Sequence, residues 1–241
     1  MFDLTGRVAL VTGGGQNVGA GICRALARQG AVVAVNDIVA DRAKEVADAI
    51  GGIAAPFDVT DLESVVAGVS AIGQPVDILV NNAGNGGALG MRPAPFRELE
   101  PAEWEGPLKV NLYGVMNCCK AVIDGMCDRQ WGRIVTISSG AGTGGVAIGV
   151  SPYSAGKGGG IAFTRTLALE VARSGVTCNT IALGLMTNPD QSVTAHLARA
   201  IPVGRTGTPE DIAAACVWLA SDEASWVTAQ TIEINGGSIT T

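Results

Sequence analysis

The sequence predicts an α/β fold, a doubly wound, seven-stranded parallel sheet with helices on both faces. Three observations carry that expectation. Short apolar, β-branched runs alternate with longer helical patterns almost from end to end, as in repeated β-α-β units. The 241 residues are 47% hydrophobic and only 16% charged, which suits strands buried on both faces. The Gly-rich stretches each fall between a strand and a helix, where loops of such a sheet carry function, and none marks a domain seam. One domain over 1–241 is therefore expected.

Taken in order, the strands are expected at Arg7–Val11, Ala31–Val35, Ile53–Phe57, Val76–Val80, Arg133–Ile137, Val176–Ile181 and Thr231–Ile234. Helices are expected to begin near Val18, Asp41, Asp61, Pro101, Tyr153 and Pro209. The last has the clearest start, Thr208-Pro209-Glu210, with Thr as the capping residue and Pro in the first position. Gly106-Pro107 predicts a break or kink before a second helical segment running from about Leu108 to Cys127.

Charge and composition narrow the function. The net charge is −6, and the 16 Lys and Arg are scattered, so no basic stripe is available for a phosphate backbone and nucleic acid is not an expected partner. No apolar segment is long enough to span a bilayer, and residues 1–15 lack the pattern of an export signal. Cys23, Cys118, Cys119, Cys127, Cys178 and Cys216 show no metal-ligand spacing and read as plain thiols of a reducing cytoplasm; no metal site is expected. A chain this poor in charge is expected to cover apolar surface with copies of itself.

The first strand runs into Thr12-Gly13-Gly14-Gly15-Gln16-Asn17-Val18-Gly19, followed at once by an amphipathic helix. Glycines there let the backbone approach a pyrophosphate, whose charge then meets the N–H groups of the helix N-terminus. Asp37, followed by Ile38, ends the second strand. A carboxylate at that place accepts hydrogen bonds from both adenosine ribose hydroxyls and repels a 2′-phosphate, which selects NAD over NADP. Asp58-Val59 closes the third strand and is suited to holding adenine.

Tyr153-Ser154-Ala155-Gly156-Lys157 places a phenol and an ammonium on one helix face, one turn apart. Alone, such a pair is usually a solvated contact. The same chain also carries Asn81-Asn82-Ala83-Gly84 after strand four, Val110-Asn111-Leu112, Ser138-Ser139 after strand five, residues 204–212 and Ile234-Asn235-Gly236-Gly237. In order and spacing this set resembles the short-chain dehydrogenase/reductase family over essentially the whole chain. The resemblance implies a Rossmann-like fold and a catalytic set of Asn111, Ser139, Tyr153 and Lys157.

It further implies that Gly13, Gln16, Asn17, Val18, Gly19, Asp37, Ile38, Asp58, Val59, Asn82, Ala83, Gly84, Tyr153, Lys157, Gly184, Met186 and Thr187 contact the cofactor. Lys157 and the nicotinamide charge are expected to lower the Tyr153 pKa, so that Tyr153 exchanges the substrate proton while Ser139 holds the substrate oxygen. Of the serine pair, Ser139 is the better match; Ser138 points to the other face of its strand. Asn111 is expected to anchor a water that links Lys157 to solvent. A homotetramer is implied, packed through the helices spanning about Leu108–Cys127 and Tyr153–Ser174 and through the last strands.

The chain departs from the family pattern in four places. Asn17 replaces a glycine, and Asn tolerates left-handed backbone. The apolar loop from Ser139 to Tyr153 is about one residue longer than usual. Leu183-Gly184 stands for the usual Pro-Gly, with Thr187 one residue early, ahead of a lid at about 185–201 that holds the sole histidine, His196. Ala229 replaces a glycine. The leading expectation is NAD-linked interconversion of a small, largely apolar secondary alcohol and its ketone. The alternative is reduction of a 3-oxoacyl thioester on acyl carrier protein or coenzyme A, and a remote third is a non-catalytic nucleotide-binding subunit. Relatives that dock the acidic carrier place basic residues where this chain has Gln130 and Ser174.

Overall fold

The computed structural model describes residues 1–84, 91–187 and 190–239, with only the backbone of Gln191 and Val193. Among them, β1 (Val8–Val11), β2 (Val32–Val35), β3 (Ile53–Ala54), β4 (Ile78–Asn81), β5 (Gly132–Ser139), β6 (Val176–Leu183) and β7 (Thr231–Ile234) form one sheet. All pairings are parallel, in the spatial order 3-2-1-4-5-6-7. Chain direction across the sheet reverses between β1 and β4, and the crevice beyond their C-terminal ends is where such sheets bind ligands.

The helices are α1 (Asn17–Arg28), α2 (Ala40–Ile50), α3 (Leu62–Ala71), α4 (Ala102–Leu108), α5 (Gly114–Asp128), α6 (Gly140–Thr143), α7 (Ser151–Val171), α8 (Gln191–Ala198) and α9 (Pro209–Ala220). Alternation along the strands sorts them into two layers. Ala9, Val11, Val33 and Val35 face α1, α2 and α9, while Val8, Leu10 and Ala34 face the side of α3, α5 and α7. Because both faces are covered, the strands read as continuous apolar runs. No described helix is long and apolar enough to cross a membrane.

Three boundaries differ from expectation for physical reasons. β3 stops at Ala54 instead of running to Phe57, because Pro56 has no N–H for the ladder. The buried side chain of Asn36 bonds there instead, its Nδ2 donating to the carbonyls of Ala55 and Phe57 at 3.0 Å each. α7 starts two residues before Tyr153, with Pro152 in its first turn. At Gly106-Pro107 the helix does not stop. It runs to Leu108 and continues through one wide π turn, Lys109–Tyr113, directly into α5.

Ala229, at the turn into β7, adopts φ 60°, a left-handed conformation that costs a residue with a Cβ about 1 kcal/mol. Ala229→Gly is therefore expected to raise the midpoint of thermal unfolding, followed by circular dichroism, without changing catalytic rates.

Candidate active site

The glycine turn is shaped by its neighbours. Gly13 at φ 60° and Asn17 at φ 47° are both left-handed, so Asn17 supplies the backbone geometry that glycine otherwise would. Thr12 Oγ1 accepts from the N–H groups of Asn82 and Ala83 at 3.0 Å, and Asn82 Nδ2 donates to the carbonyls of Thr12 (2.9 Å) and Gly13 (3.0 Å). The Asn82 side chain thus braces the turn from β4. Gly19 packs against the Gly13 carbonyl so closely that a Cβ would overlap it, and a Cβ on Gly13 would come within 2.9 Å of Ala83 Cα. Gln16 and Val18 flank the start of α1.

Beside this turn opens a cleft of about 390 Å³, lined among others by Gly13, Gln16, Asp37, Ile38, Asp58, Val59, Ala83 and Gly84. Asn36 Oδ1 accepts from Gly13 N at 3.3 Å, which ties the end of β2 to the turn. Asp37 is buried; its Oδ1 accepts from Val39 N at 2.9 Å and stands 3.6 Å from Arg42 Nε. Asp58 Oδ1 accepts from both N and Oγ1 of Thr60 at 2.8 Å, and Val59 packs on Gly114, where a Cβ would come within 2.9 Å. A tight glycine turn at a helix start, with a carboxylate at the end of β2, could hold a dinucleotide, with Gly13 to Gly19 available to a pyrophosphate, Asp37 to a ribose, and Asp58 and Val59 to an adenine. Thr12, Asn36 and Arg42 border this cleft or its turn too, through Thr12 Oγ1, Asn36 Oδ1 and the Arg42 side chain.

At the other end of the crevice, Ser139 ends β5 and Tyr153 and Lys157 lie on α7. Ser139 hydrogen-bonds Tyr153, and its Oγ also accepts from Ala141 N at 3.2 Å. Ser138 turns away, donating to the Lys157 carbonyl at 3.1 Å. The buried Lys157 Nζ donates to Ile137 O at 2.8 Å and lies 5.9 Å from the centre of the Tyr153 ring. Asn111 sits in the π turn, its Nδ2 donating to Pro107 O at 2.8 Å. Gly84 brings these groups together: the point where its Cβ would stand is 2.7 Å from Lys157 Nζ and 2.9 Å from Asn111 Oδ1.

The electrostatics correct one expectation. Burial pushes the Lys157 ammonium down to about 8, because a charge without bulk water is costly. Lys157 is not what shifts Tyr153. Burial raises the Tyr153 phenol above its ordinary value, and the hydrogen bond with Ser139 is the opposing influence. In the protein alone, burial wins. Ser139→Ala removes the lowering contribution, so the pH at which oxidation reaches half its maximal rate is expected to move upward. Loss of one donor to the substrate oxygen should also lower kcat on the order of a hundredfold. A pH profile of kcat reads both; an unmoved midpoint would assign the titration to another group.

After β6, Gly184 packs against the Asn235 backbone, where a Cβ would come within 2.6 Å of Asn235 Cα, and Met186 pairs with Gly207. Thr187 Oγ1 is 2.9 Å from both Thr206 Oγ1 and Gly207 O. The Gly207 carbonyl can only accept, so it takes the Thr187 proton; the hydroxyl keeps acceptor capacity alone, which suits an amide N–H. Of the lid, residues 188–189 lie outside the described residues. His196 is exposed on α8, and among the described residues no group of three His, Cys, Asp or Glu could hold a metal ion.

A phenol able to give or take a proton, at the end of a cleft shaped for a nicotinamide dinucleotide, makes this protein an oxidoreductase of hydroxyl and keto groups. A family profile described as enoyl-(acyl carrier protein) reductase matches residues 13–238, and the chain belongs to the short-chain dehydrogenase/reductase family. It is 40% identical to an acetoacetyl-CoA reductase of Shinella zoogloeoides, over 96% of this chain and 98% of that one. It is 39% identical to a 3-oxoacyl-[acyl-carrier-protein] reductase of Vibrio cholerae, over 98% of each. Among solved structures, a gluconate 5-dehydrogenase from Burkholderia cenocepacia, in complex with NADP and tartrate, superposes with a TM-score of 0.90. That pair is 32% identical and covers 98% of this chain and 96% of the other.

Proposed function

We propose that this protein interconverts a short 3-oxoacyl thioester and its 3-hydroxyacyl form, with NAD(H) as the hydride carrier. The observation that carries the substrate class is the near full-length likeness to reductases named for acetoacetyl-CoA and 3-oxoacyl substrates. A small apolar secondary alcohol, put first on loop composition, gives way to it because loop composition is weak evidence of a substrate. The NAD preference rests on the buried Asp37 carboxylate at the ribose position.

When bound, the nicotinamide supplies or accepts the hydride. The chain handles the proton and the oxygen. Ser139 Oγ donates to the substrate oxygen and holds it beside the Tyr153 hydroxyl. In reduction Tyr153 gives its proton to that oxygen as negative charge develops there; in oxidation it takes the proton back. Lys157, held by Ile137 O, keeps a positive charge near the phenol, and Asn111, beside it across Gly84, anchors a water that links Lys157 to solvent in this proposal.

A coenzyme A thioester is favoured over the carrier-bound one. Gln130 and Ser174 occupy the places where carrier-docking relatives are basic, and the neighbouring Arg129 is engaged internally, donating to Val76 O (2.8 Å) and Asp77 Oδ1 (3.3 Å). A homotetramer in the cytoplasm completes the proposal. The exposed Met116 of α5, Leu169 of α7 and Trp226 before β7 lie on the helices and the strand approach through which it would pack.

The test follows absorbance of the reduced nicotinamide with acetoacetyl-CoA, an acetoacetyl carrier protein and a panel of secondary alcohols, each with NADH or NADPH in the reductive direction and NAD or NADP in the oxidative one. Turnover of acetoacetyl-CoA with NADH at the highest kcat/KM supports the proposal. Turnover confined to simple alcohols would overturn the substrate class, and a preference for NADPH would overturn the reading of Asp37.

A further inference from the structure

The stretch that follows Ser139 cannot hold its own shape. α6 is a single turn, Gly140–Thr143, with glycine at two of its four positions, and each glycine in a helix costs about 1 kcal/mol against alanine. It is gripped from outside. On one side Gly142 lies against α7, where a Cβ would come within 2.9 Å of Gly158 N and 3.0 Å of the Lys157 carbonyl carbon. On the other, Ile239 fills the groove left by Gly140 and by Gly144, which follows the helix: a Cβ at Gly140 would overlap Ile239 Cδ1, and one at Gly144 would stand 3.2 Å from Ile239 Cγ2. Ile239 is itself fixed by the turn after β7. There the buried Asn235 donates through Nδ2 to Ile239 O (2.9 Å) and Glu233 Oε2 (3.2 Å), and its Oδ1 accepts from Gly237 N at 2.9 Å.

α6 is thus held between the helix that carries Lys157 and a side chain anchored beyond β7. Its position matters because Ser139 is its capping residue, with Ser139 Oγ accepting from Ala141 N at 3.2 Å. That bond occupies an acceptor site of the hydroxyl, which leaves the Ser139 proton to be donated away from the helix. Were α6 to slacken, Ala141 N would leave the oxygen and the hydroxyl would be free to turn. We propose that Ile239 is a positioning residue for the reaction, which holds α6 so that the Ser139 hydroxyl keeps the orientation in which it donates to the substrate oxygen. This rests on the role of Ser139 in the function proposed above.

The test follows oxidation of 3-hydroxybutyryl-CoA with NAD in Ile239→Ala, Ile239→Val, Ser139→Ala and the double variant that joins Ser139→Ala to Ile239→Ala. Ile239→Ala is expected to lower kcat on the order of tenfold, part of what losing the Ser139 donor costs, with KM changed by less than about threefold. Its pH midpoint should move upward, as expected for Ser139→Ala. Ile239→Val keeps Cγ2 toward Gly144 and loses Cδ1 toward Gly140, so it should lie between, and it carries the test if the alanine variant does not fold. In the double variant kcat should equal that of Ser139→Ala, since a residue that acts through Ser139 adds nothing once the hydroxyl is gone. Ile50→Ala, a half-buried isoleucine of α2 at the opposite edge of the sheet, controls for general destabilisation and should leave kcat and the midpoint unchanged. A multiplied loss in the double variant, an unmoved midpoint in Ile239→Ala, or a kcat close to that of wild type would overturn the proposal. If Ser139→Ala itself left kcat unchanged, the assignment of Ser139 would fall and take this proposal with it. If the wild type oxidised a simple alcohol and no thioester, the substrate class alone would fall, and the same variants are read on that alcohol.

Discussion

Tyr153→Phe is expected to abolish measurable turnover, lowering kcat on the order of a thousandfold while leaving the fold and nucleotide binding intact. The substitution deletes one oxygen and keeps the ring that packs in α7, so burial is nearly unchanged. What disappears is the hydroxyl that, in the proposed function, exchanges a proton with an oxygen held by Ser139. Positioned acid-base groups contribute roughly 10² to 10⁴ in rate. Steady-state kinetics, with calorimetric titration of the nucleotide and a thermal melt beside them, distinguish a chemical loss from a structural one. A fall in kcat of less than tenfold would require another proton source.

Gly19→Ala has the second large expected effect, through geometry instead of chemistry. The new Cβ would overlap the Gly13 carbonyl and come within 2.6 Å of Asn82 Nδ2. Both obstacles are held: the carbonyl is backbone, and Asn82 is fixed by its bonds to Thr12 and Gly13. The turn must open, which overpacking data put at about 3 kcal/mol, or a fall in the melting midpoint of roughly 6 to 12 °C. Nucleotide affinity should fall on the order of a hundredfold, because the N–H groups at the start of α1 no longer converge. Binding retained within threefold would mean that the turn yields without losing its function.

The fold was legible in the sequence because every strand is covered on both faces, so its signal is the plain apolar run followed by a Gly-rich loop. Tyr153 and Lys157 were legible as a candidate pair from spacing only once Ser139, Asn111 and the glycine turn stood in the same chain. Asn17 was legible as a left-handed residue from its side-chain type. The rest depends on contacts that no local pattern records. Pro56 could have shortened β3 on sight, since it removes a ladder N–H, but the role of Asn36 in taking over those carbonyls needed the neighbouring strand in place. Arg42 lies in the first turn of α2, and nothing in its sequence neighbourhood says that it reaches back to Asp37. The upward shift of Tyr153 follows from burial, opposed by the hydrogen bond with Ser139, and residue spacing along α7 encodes neither.

The wide turn at Lys109–Tyr113 gives one helix two phases. Each extra residue in the winding rotates everything after it by about 100° relative to a regular α-helix. Within the turn Asn111 is sent toward Lys157; downstream of it Val115, Cys118, Cys119 and Val122 enter the core against the sheet. A regular helix through the same stretch could satisfy the core or turn Asn111 toward Lys157, but not both. Removing one residue from the turn would therefore restore regular hydrogen bonding while leaving the two halves out of step. The irregularity works as a frame adjustment, and a drift in helix length here would separate stability from catalysis.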